Sequence, residues 1–555
     1  MLNTRYILLY YRCVSTDMGT DAAGTVALDT IWELVLSKRN DKRVARISLI
    51  GATLVAVVVA PMIGSAAGLA NSPFAIKALN TDGSGKFAIK PFAKKSGEIT
   101  DPPVTTPAPD PTTTQAPDPM ANLVTMTIDT SLPSCIATGT SGFKLPVAAF
   151  DPGDSAKTPL AAKAKLDWGD GSPVTDLTTG VNGHIYKTGR YTLSIDGKLG
   201  GFDQLPAGSN NCVASIDHFG ENTGIVTLSR FLSEAPATLT AVAAPPTSLK
   251  NASFMFASSS FNGDTASWNL PNLENGTSMF ANASKFNGDL KNFNPQSLQD
   301  AEQMFSRATA FTGIGLENWR TPKLTKASAM FQVLPNFNPD LSKWDVHSVS
   351  DFGSMFSSAT KFNSDLSQWN VSSGKIFTSM FSGTKAFNSE LNDWNMSNAT
   401  DFRQIFYQAT AFNRDLNRWD TRNVAILDNM FYGATVFNGD VSDWDTSNVT
   451  TMRSVFGSTP VFNRDISRWN VAKVADFSGM FSSSKAFNQD LSAWNTASAT
   501  NMLQMFYNAS GFKQNISGWN VTKVTSYSAF YANSGLLSTS SFVPSKFRNS
   551  TGSTF

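Results

Sequence analysis

Few residues of this chain have the types and spacing that catalysis needs. Its three histidines, His184, His218 and His347, stand far apart, and the sequence contains no phosphate-binding glycine loop, H-E-x-x-H word or G-x-S-x-G word. His184 and Asp170 could form a catalytic pair, but no nucleophile or third partner is placed beside them, so a structural role is favoured. We therefore predict no catalytic residue and no enzymatic activity.

The cysteine and acidic residues do not form a metal-binding pattern. Cys13, Cys135 and Cys212 include no paired C-x-x-C spacing, and Asp167 with Asp170 lacks the longer acidic loop that calcium sites use. We expect no metal and no cofactor. Cys135 and Cys212 would be the two cysteines of an exported chain, and both a disulfide and two free buried thiols remain open.

One spacing dominates the chain between about residues 251 and 531, where similar words recur every 25 residues. Met-Phe is followed six residues later by Phe-Asn, then by an acid and a tryptophan. The tryptophans are Trp319, Trp344, Trp369, Trp394, Trp419, Trp444, Trp469, Trp494 and Trp519. A fixed period of this length predicts a solenoid in which each unit buries its apolar side against its neighbours.

The repeat reads W-N/D-x-S-x-V-T-x-M-x-x-M-F-x-x-A-x-x-F-N-x-D-L-S-x-W and resembles that of the BspA-like surface proteins, whose repeats are grouped with leucine-rich repeats. The resemblance covers roughly residues 205–531. It implies a cell-surface or secreted protein without enzymatic activity that acts in adhesion. It does not specify a ligand.

The apolar spacing within one repeat predicts its secondary structure. Val449, Met452 and Phe456 lie at i, i+3 and i+7, which is typical of one side of a short helix, and residues 465–469 would form a short strand. We therefore predict a leucine-rich-repeat-like solenoid over residues 251–531, with one short helix and one short parallel strand per coil. Residues 205–250 would form its N-terminal cap, and residues 532–555 its C-terminal cap or tail.

Two recurring columns are expected to be structural. The tryptophans recur together with the phenylalanine, methionine and leucine columns, which favours a buried core over the alternative of an exposed sugar-binding row. The asparagine column from Asn338 to Asn488 is expected to bond backbone groups where the chain turns.

The residue directly before each tryptophan varies, which indicates exposure to solvent. We name five charged members of this column the strip and treat them as candidate binding residues: Lys343, Asp393, Arg418, Asp443 and Arg468. Acid and base alternate in the middle of the strip. Two interpretations are open, a solvated row of charges that fixes the register of the coils and a mixed-charge recognition surface.

The sequence pattern of residues 120–204 predicts a different, all-β module. Alternating runs at residues 124–128 and 191–195 are typical of strands. The words around Trp168, His184 and Tyr191 resemble the W-G-D-G, H-x-Y and G-x-Y-T words of PKD-type β-sandwich modules, which serve as spacers or interaction modules on extracellular proteins.

The N-terminal region predicts export. Residues 47–70 contain no charged residue and follow a basic cluster, so they form either a signal peptide or a transmembrane segment. Residues 1–46 would be a cytoplasmic extension or an over-long gene model. Residues 71–119 include a dense Pro/Thr tract that favours a disordered, extended spacer.

Together these features predict a monomeric repeat protein at the cell surface or secreted, anchored through residues 47–70 if they are not cleaved. Its partner would be an extracellular protein or glycan. A net charge of +1 does not favour nucleic acid. The alternative function is that of a passive surface coat or spacer.

Overall fold

A computed structural model describes the backbone of residues 8–15, 30–38, 41–50 and 53–56, together with residues 120–135, 142–148 and 163–548. The chain divides into two compact units, Met1–Asp110 and Pro111–Phe555. Four strands of the first unit form an antiparallel sheet in chain order: β1 (Leu8–Ser15), β2 (Thr30–Lys38), β3 (Asp41–Ile50) and β4 (Thr53–Ala56).

The predicted export segment, residues 47–70, falls only partly within this sheet. Residues 47–50 belong to β3 and residues 53–56 are β4, whereas the remainder of that prediction and the Pro/Thr spacer lie outside the described residues. Among the described parts of the chain, no helix has the length and apolar character needed to cross a membrane.

The second unit begins with two β-sheets. Its strands are β5 (Leu123–Asp129), β6 (Phe143–Ala148), β7 (Lys163–Asp167), β8 (Thr175–Asp176), β9 (Gly180–His184), β10 (Arg190–Lys198), β11 (Gly201–Phe202), β12 (Val213–His218) and β13 (Ala241–Val242). One sheet has the order β13-β12-β5-β10-β7-β8, and the other β11-β6-β9. The two alternating runs noted in the sequence lie in β5 and β10, which pair antiparallel with Tyr191 opposite Ile128.

A shared aromatic core joins the two sheets. Phe143 of β6 and Trp168, which follows β7, are both buried, with ring centroids 6.4 Å apart. The hydroxyl of the buried Tyr186 donates a hydrogen bond of 2.9 Å to the carbonyl oxygen of Trp168. Burial of the aromatic rings stabilises the module, because the Tyr186 hydroxyl keeps a hydrogen-bond partner. The same hydrogen bond fixes the loop after β7.

The sheet continues past the predicted module boundary at residue 204. β12 pairs with β5 and β13 pairs in parallel with β12, so residues expected to cap the repeats also complete the six-stranded sheet. A four-residue helix, α1 (Ala207–Asn210), precedes β12. Residues 205–250 therefore belong structurally to both the module and the repeats.

The predicted helix in each repeat is wrong. Residues 453–458 form consecutive turns instead of a helix, and Ser454 and Ser458 adopt left-handed conformations with φ of 49° and 55°. A left-handed residue at every fourth position interrupts any α-helical run. Met452 and Phe456 are still both buried, because a four-residue turn repeat and a 3.6-residue helix place apolar residues at similar spacings.

Hydrogen bonds between coils replace the bonds that a helix would form. In this coil every second N–H donates to a carbonyl of the next coil, with distances of 2.7 to 3.0 Å. The pairs are Met452 to Asp476, Ser454 to Ser478, Phe456 to Met480 and Ser458 to Ser482. The backbone is therefore satisfied along the stack, which a single repeat could not achieve.

The predicted strand over residues 465–469 is also wrong, since the described backbone there is irregular. Successive coils instead share one isolated parallel bridge each, a series that includes Ile426 with Thr451 and Thr451 with Asp476. The series reaches back to Gly201 with Thr227, so the coil path begins before residue 251. The helix-plus-strand, leucine-rich-repeat-like description is thus replaced by stacked coils built from turns.

Aromatic columns fill the interior of the coils. Phe431 stacks on Phe456 with centroids 5.7 Å apart, and Trp444 stacks on Trp469 at 5.8 Å. Phe293 occupies one tryptophan position and stacks on Trp319 at 5.0 Å, although one residue more than usual separates the two. Gly313 and Gly315, with φ of 90° and 91°, lie in the loop that takes up this residue, close to the short 3-10 helix Leu316–Asn318.

The C-terminal end of the stack is covered by a 3-10 helix, Gly535–Phe542, and the four-residue helix α2, Ser545–Arg548. The Lys546 ammonium donates to the carbonyl oxygen of Val524 at 2.6 Å, and the Phe547 ring stacks on Tyr527 at 4.8 Å. These contacts cover part of the apolar surface that the last coil would otherwise expose.

Candidate binding surface on the repeats

The buried tryptophans hold the strip at the surface. Trp419 is 3% exposed, and its indole Nε1 donates to the carbonyl oxygen of Leu391 at 2.8 Å. The same bond joins each tryptophan from Trp319 to Trp519 to the preceding coil. The prediction that this column is part of the core is therefore confirmed. The alternative, an exposed sugar-binding row, is wrong because the indoles are buried. All five strip residues, directly before a tryptophan, are exposed.

Two of the five strip residues are in contact with each other. Arg418 Nη1 forms an ion pair with Asp393 Oδ1 of the preceding coil, and the two side chains are 68% and 75% exposed. Arg418 N–H also donates to the Asn392 amide oxygen at 3.0 Å. Exposed pairs of this kind contribute about 0–1 kcal/mol to stability.

The other charges of the strip remain apart. Within the described coils no ion pair under 4 Å joins Asp443 to Arg418 or Arg468, and Lys343 has no such partner. The alternating charges therefore do not form a continuous row of ion pairs. A ligand can therefore form ion pairs with the charged groups of Asp443, Arg468 and Lys343.

A shallow groove of about 350 Å³ lies beside the Arg418–Asp393 pair. It is lined by Asn392, Asp393, Trp394, Asn395, Arg418 and Asp420. Asp420 in turn accepts from Arg422 Nε at 2.8 Å. The groove presents both signs of charge and two amide side chains, which suits a polar ligand. Its lining contains no nucleophile in contact with a base.

The recurring asparagines form a hydrogen-bonded column along the stack. The side-chain oxygen of Asn413 accepts from the N–H of Asn438 at 2.7 Å, and that of Asn438 accepts from Asn463 at 2.9 Å. The expected structural role of this column is confirmed. Because each asparagine from Asn338 to Asn488 accepts the same bond, these asparagines fix the register of the chain rather than bind a ligand.

Most of the acids two residues after these asparagines are also structural, whereas Glu390 forms an ion pair with Arg414. Asp465 Oδ1 accepts from the N–H of Ser467 at 2.9 Å, and Asp490 makes the same bond to Ser492. Hydrogen bonds from Ser467 lower the pKa of Asp465, because they favour the charged carboxylate. This column stabilises turns and adds no binding group to the strip.

The residues considered for catalysis, metal binding or disulfide formation lie in the two-sheet region that precedes the repeats. His184 Nε2 is 2.7 Å from Asp170 Oδ2, and the imidazole stacks on Trp168 with centroids 4.8 Å apart. The bond to His184 is the first cause that lowers the pKa of Asp170, to about 2. Among the described residues no cluster of three His, Cys, Asp or Glu side chains could hold a metal.

A disulfide joins Cys135 to Cys212, with Cα atoms 4.6 Å apart. It connects the segment after β5 to the residue just before β12. Because β12 pairs with β5, the disulfide fastens together two neighbouring strands of the six-stranded sheet.

Sequence reasoning missed a second polar surface, on the turns of the coils. Asp428 is buried and paired with Arg453, and the rings of Tyr407 and Tyr432 stack on each other. A signal was present, since the residue after the Met-Phe or equivalent word is small in most coils and is tyrosine here.

Comparison with known proteins supports a family assignment for the repeats. The model of a family described as "Mycoplasma protein of unknown function, DUF285" matches residues 246–314, 308–419, 375–459 and 427–541. This is consistent with the resemblance of the repeats to BspA-like proteins. No curated protein and no solved structure matches the chain significantly. The matches together cover more than half of the sequence, and the chain therefore belongs to the DUF285 repeat family.

Proposed function

We propose that the chain is an exported cell-surface protein whose repeats bind an extracellular protein or glycan through the strip, without turnover of a substrate. The observation that carries this proposal is the contrast between columns. The tryptophans from Trp319 to Trp519 and the asparagines from Asn338 to Asn488 all form hydrogen bonds within the stack, whereas the strip is exposed and changes from coil to coil.

Several weak contacts along the stack would act together in this role. Sites on adjacent coils are linked by a rigid frame, so that a second contact forms at high effective concentration. Residues 47–70 and the Pro/Thr spacer support display outside the cell. Exposed charge contacts weaken as the Debye length falls from about 10 Å at 0.1 M salt to about 3 Å at 1 M.

The test is a binding screen of the full chain against matrix proteins and cell-surface glycans at low salt. A variant with Asp393→Asn and Arg418→Gln should lose affinity for the ligand that is found. Its matched control carries Lys385→Gln and Glu390→Gln, which also removes one positive and one negative charge and breaks the ion pair of Glu390 with Arg414.

The control variant should bind like the parent, and added salt should weaken binding of both. Equal losses in the two variants would assign binding to charge in general rather than to the strip. If the screen finds no ligand, the adhesion proposal is rejected in favour of a passive coat or spacer.

A further inference from the structure

Positive charge is concentrated at the C-terminal end of the coils. Residues 454–548 contain eight lysine or arginine residues but only three aspartates and no glutamate, which gives this part a net charge of +5 against +1 for the whole chain. All eight cationic side chains are exposed: Arg464, Arg468, Lys473, Lys485, Lys513, Lys523, Lys546 and Arg548. Within a chain of almost balanced charge, this end is therefore strongly basic.

No carboxylate of the described residues neutralises these eight cations. None of them has an ion-pair partner under 4 Å there, whereas earlier coils contain several such pairs, including Arg414 with Glu390. The three aspartates of this part, Asp465, Asp476 and Asp490, each accept the backbone N–H two residues further on. Exposed cations without a partner attract anionic ligands and steer their approach.

Three of these cations lie along one side of the last coils. Lys473, Ser498 and Lys523 occupy the same position in successive coils, each three residues before a member of the continuous series of parallel bridges. Lys473 and Lys523 are therefore about 10 Å apart, twice the usual spacing of neighbouring strands. Lys546 lies next to Lys523, because its ammonium donates to the carbonyl oxygen of Val524 at 2.6 Å. We name Lys473, Lys523 and Lys546 the basic ridge; it shares no residue with the strip.

We propose that the basic ridge binds an acidic polysaccharide, a chain of sugar units that carry sulfate or carboxylate groups. Anionic groups along an extended chain can pair with several cations of the ridge at once, and each contact raises the local concentration for the next. Between the lysines lie Ser498, which is half-buried, and the exposed Thr522, whose carbonyl oxygen also accepts from Lys546. Their hydroxyl groups have no partner among the described residues and can bond the hydroxyl groups of a sugar.

The surroundings of the ridge favour a polysaccharide over a membrane. No exposed large apolar side chain lies between Val461 and Leu537 in the described coils, so this part offers no group that inserts among lipid tails, as stable membrane attachment requires beside charge. The same lack of exposed aromatic rings disfavours a single-stranded nucleic acid, which binds by base stacking. The choice of an extracellular polymer rests on the export proposed above, whereas the binding test does not depend on it.

The test uses calorimetric titration of the full chain at low salt with dextran sulfate, polygalacturonate, neutral dextran and vesicles that mix phosphatidylserine with phosphatidylcholine. We expect at least one of the two acidic polymers to bind, which distinguishes sulfate from carboxylate groups, and neutral dextran not to bind. Lys473→Gln with Lys523→Gln should weaken the binding by about tenfold or more, because two of the three cations of the ridge are lost.

Lys361→Gln with Lys375→Gln is the matched control. It changes the net charge by the same amount on exposed lysines of earlier coils, and Lys361 donates to Asn336 at 2.8 Å as Lys473 does to Asn448 at 2.7 Å. The control should bind like the parent. Equal losses in the two variants would assign binding to net charge and overturn the ridge. Binding to the vesicles alone would replace the polysaccharide with a membrane surface, and no binding to any probe would reject an anionic partner.

A second variant adds charge, so that a loss of folding cannot imitate the expected result. Ser498→Lys places a cation between two lysines of the ridge and should strengthen binding several-fold. Ser373→Lys, at the same position in an earlier coil, should leave binding unchanged, and equal effects of the two additions would contradict the proposal. Asp393→Asn with Arg418→Gln should leave this binding intact, which separates this result from the test of the strip.

Discussion

The guanidinium of Arg453 donates through Nε and Nη2 to one carboxylate oxygen of Asp428, in the preceding coil, at 2.8 and 2.6 Å. The other oxygen accepts from the Thr451 hydroxyl at 2.6 Å and from the Arg453 N–H at 3.0 Å. Asp428 is 2% exposed. Donors from one coil therefore satisfy a buried negative charge of its neighbour, which couples the two coils.

Removing this partner should destabilise the protein. We expect Arg453→Ala to lower the free energy of unfolding by about 1–3 kcal/mol, less than for a fully buried pair because the arginine is partly exposed and two donors to Asp428 remain. Urea unfolding measures the change. Arg468→Ala is the control, since that exposed side chain has no ion-pair partner under 4 Å among the described residues; similar losses in both variants would contradict the prediction.

Trp419→Ala should lower the free energy of unfolding by more than Arg453→Ala does. The substitution removes a buried indole and leaves the carbonyl oxygen of Leu391 without its donor, and we expect a loss of about 3–5 kcal/mol. Thermal melting of the variant beside the parent measures the effect, with Arg418→Ala as the control on the adjacent exposed position. An unchanged melting temperature for Trp419→Ala would be incompatible with the buried column.

The asparagine column needs an acceptor rather than an amide. Asn438 accepts the N–H of Asn463 through Oδ1, and aspartate offers the same oxygen. We expect Asn438→Asp to stay within about 0.5 kcal/mol of the parent and Asn438→Ala to lose about 1 kcal/mol. Chemical unfolding of the two variants decides this, and the reverse order would show that the amide nitrogen matters.

The two-sheet region before the repeats should lose stability in acid because of Asp170. Its pKa is lowered to about 2, chiefly by the hydrogen bond with His184, from an ordinary value of 3.8. A lowered folded-state pKa stabilises the protein above pH 3.8, and this contribution is lost as the pH falls toward 2. Asp170→Asn should reduce the change in unfolding free energy between pH 4 and pH 2; an unchanged pH profile would refute the assignment.

Local patterns predicted the side chains of the repeats better than their backbone. The buried tryptophan column and the bonded asparagines follow from residue types that recur at one spacing. The backbone of Met452 to Ser458 does not follow, because its bonds run to Asp476 through Ser482, in the next coil. Since a four-residue turn repeat resembles helical spacing, the sequence pattern favoured the wrong conformation.

The candidate sites were also only partly predictable from the sequence. Exposure of the strip could be predicted, because a variable position beside an invariant buried one must face outward. The contact of Arg418 with Asp393 and the separation of Asp443 from both neighbouring arginines depend on side-chain geometry that spacing alone does not define. The Tyr407–Tyr432 pair was visible in the sequence only as a departure from a column of small residues.

The bonding of each coil to its immediate neighbours has an evolutionary consequence. Removing or duplicating one whole unit would leave every other junction between coils unchanged, so unequal recombination could alter the reach of the molecule without a new folding solution. Loss of a single residue inside a unit would instead misalign the Trp and Asn columns. The loop at Gly313 and Gly315 marks where the stack has absorbed an extra residue at its surface, and loops of this kind are where irregular length changes would persist during divergence.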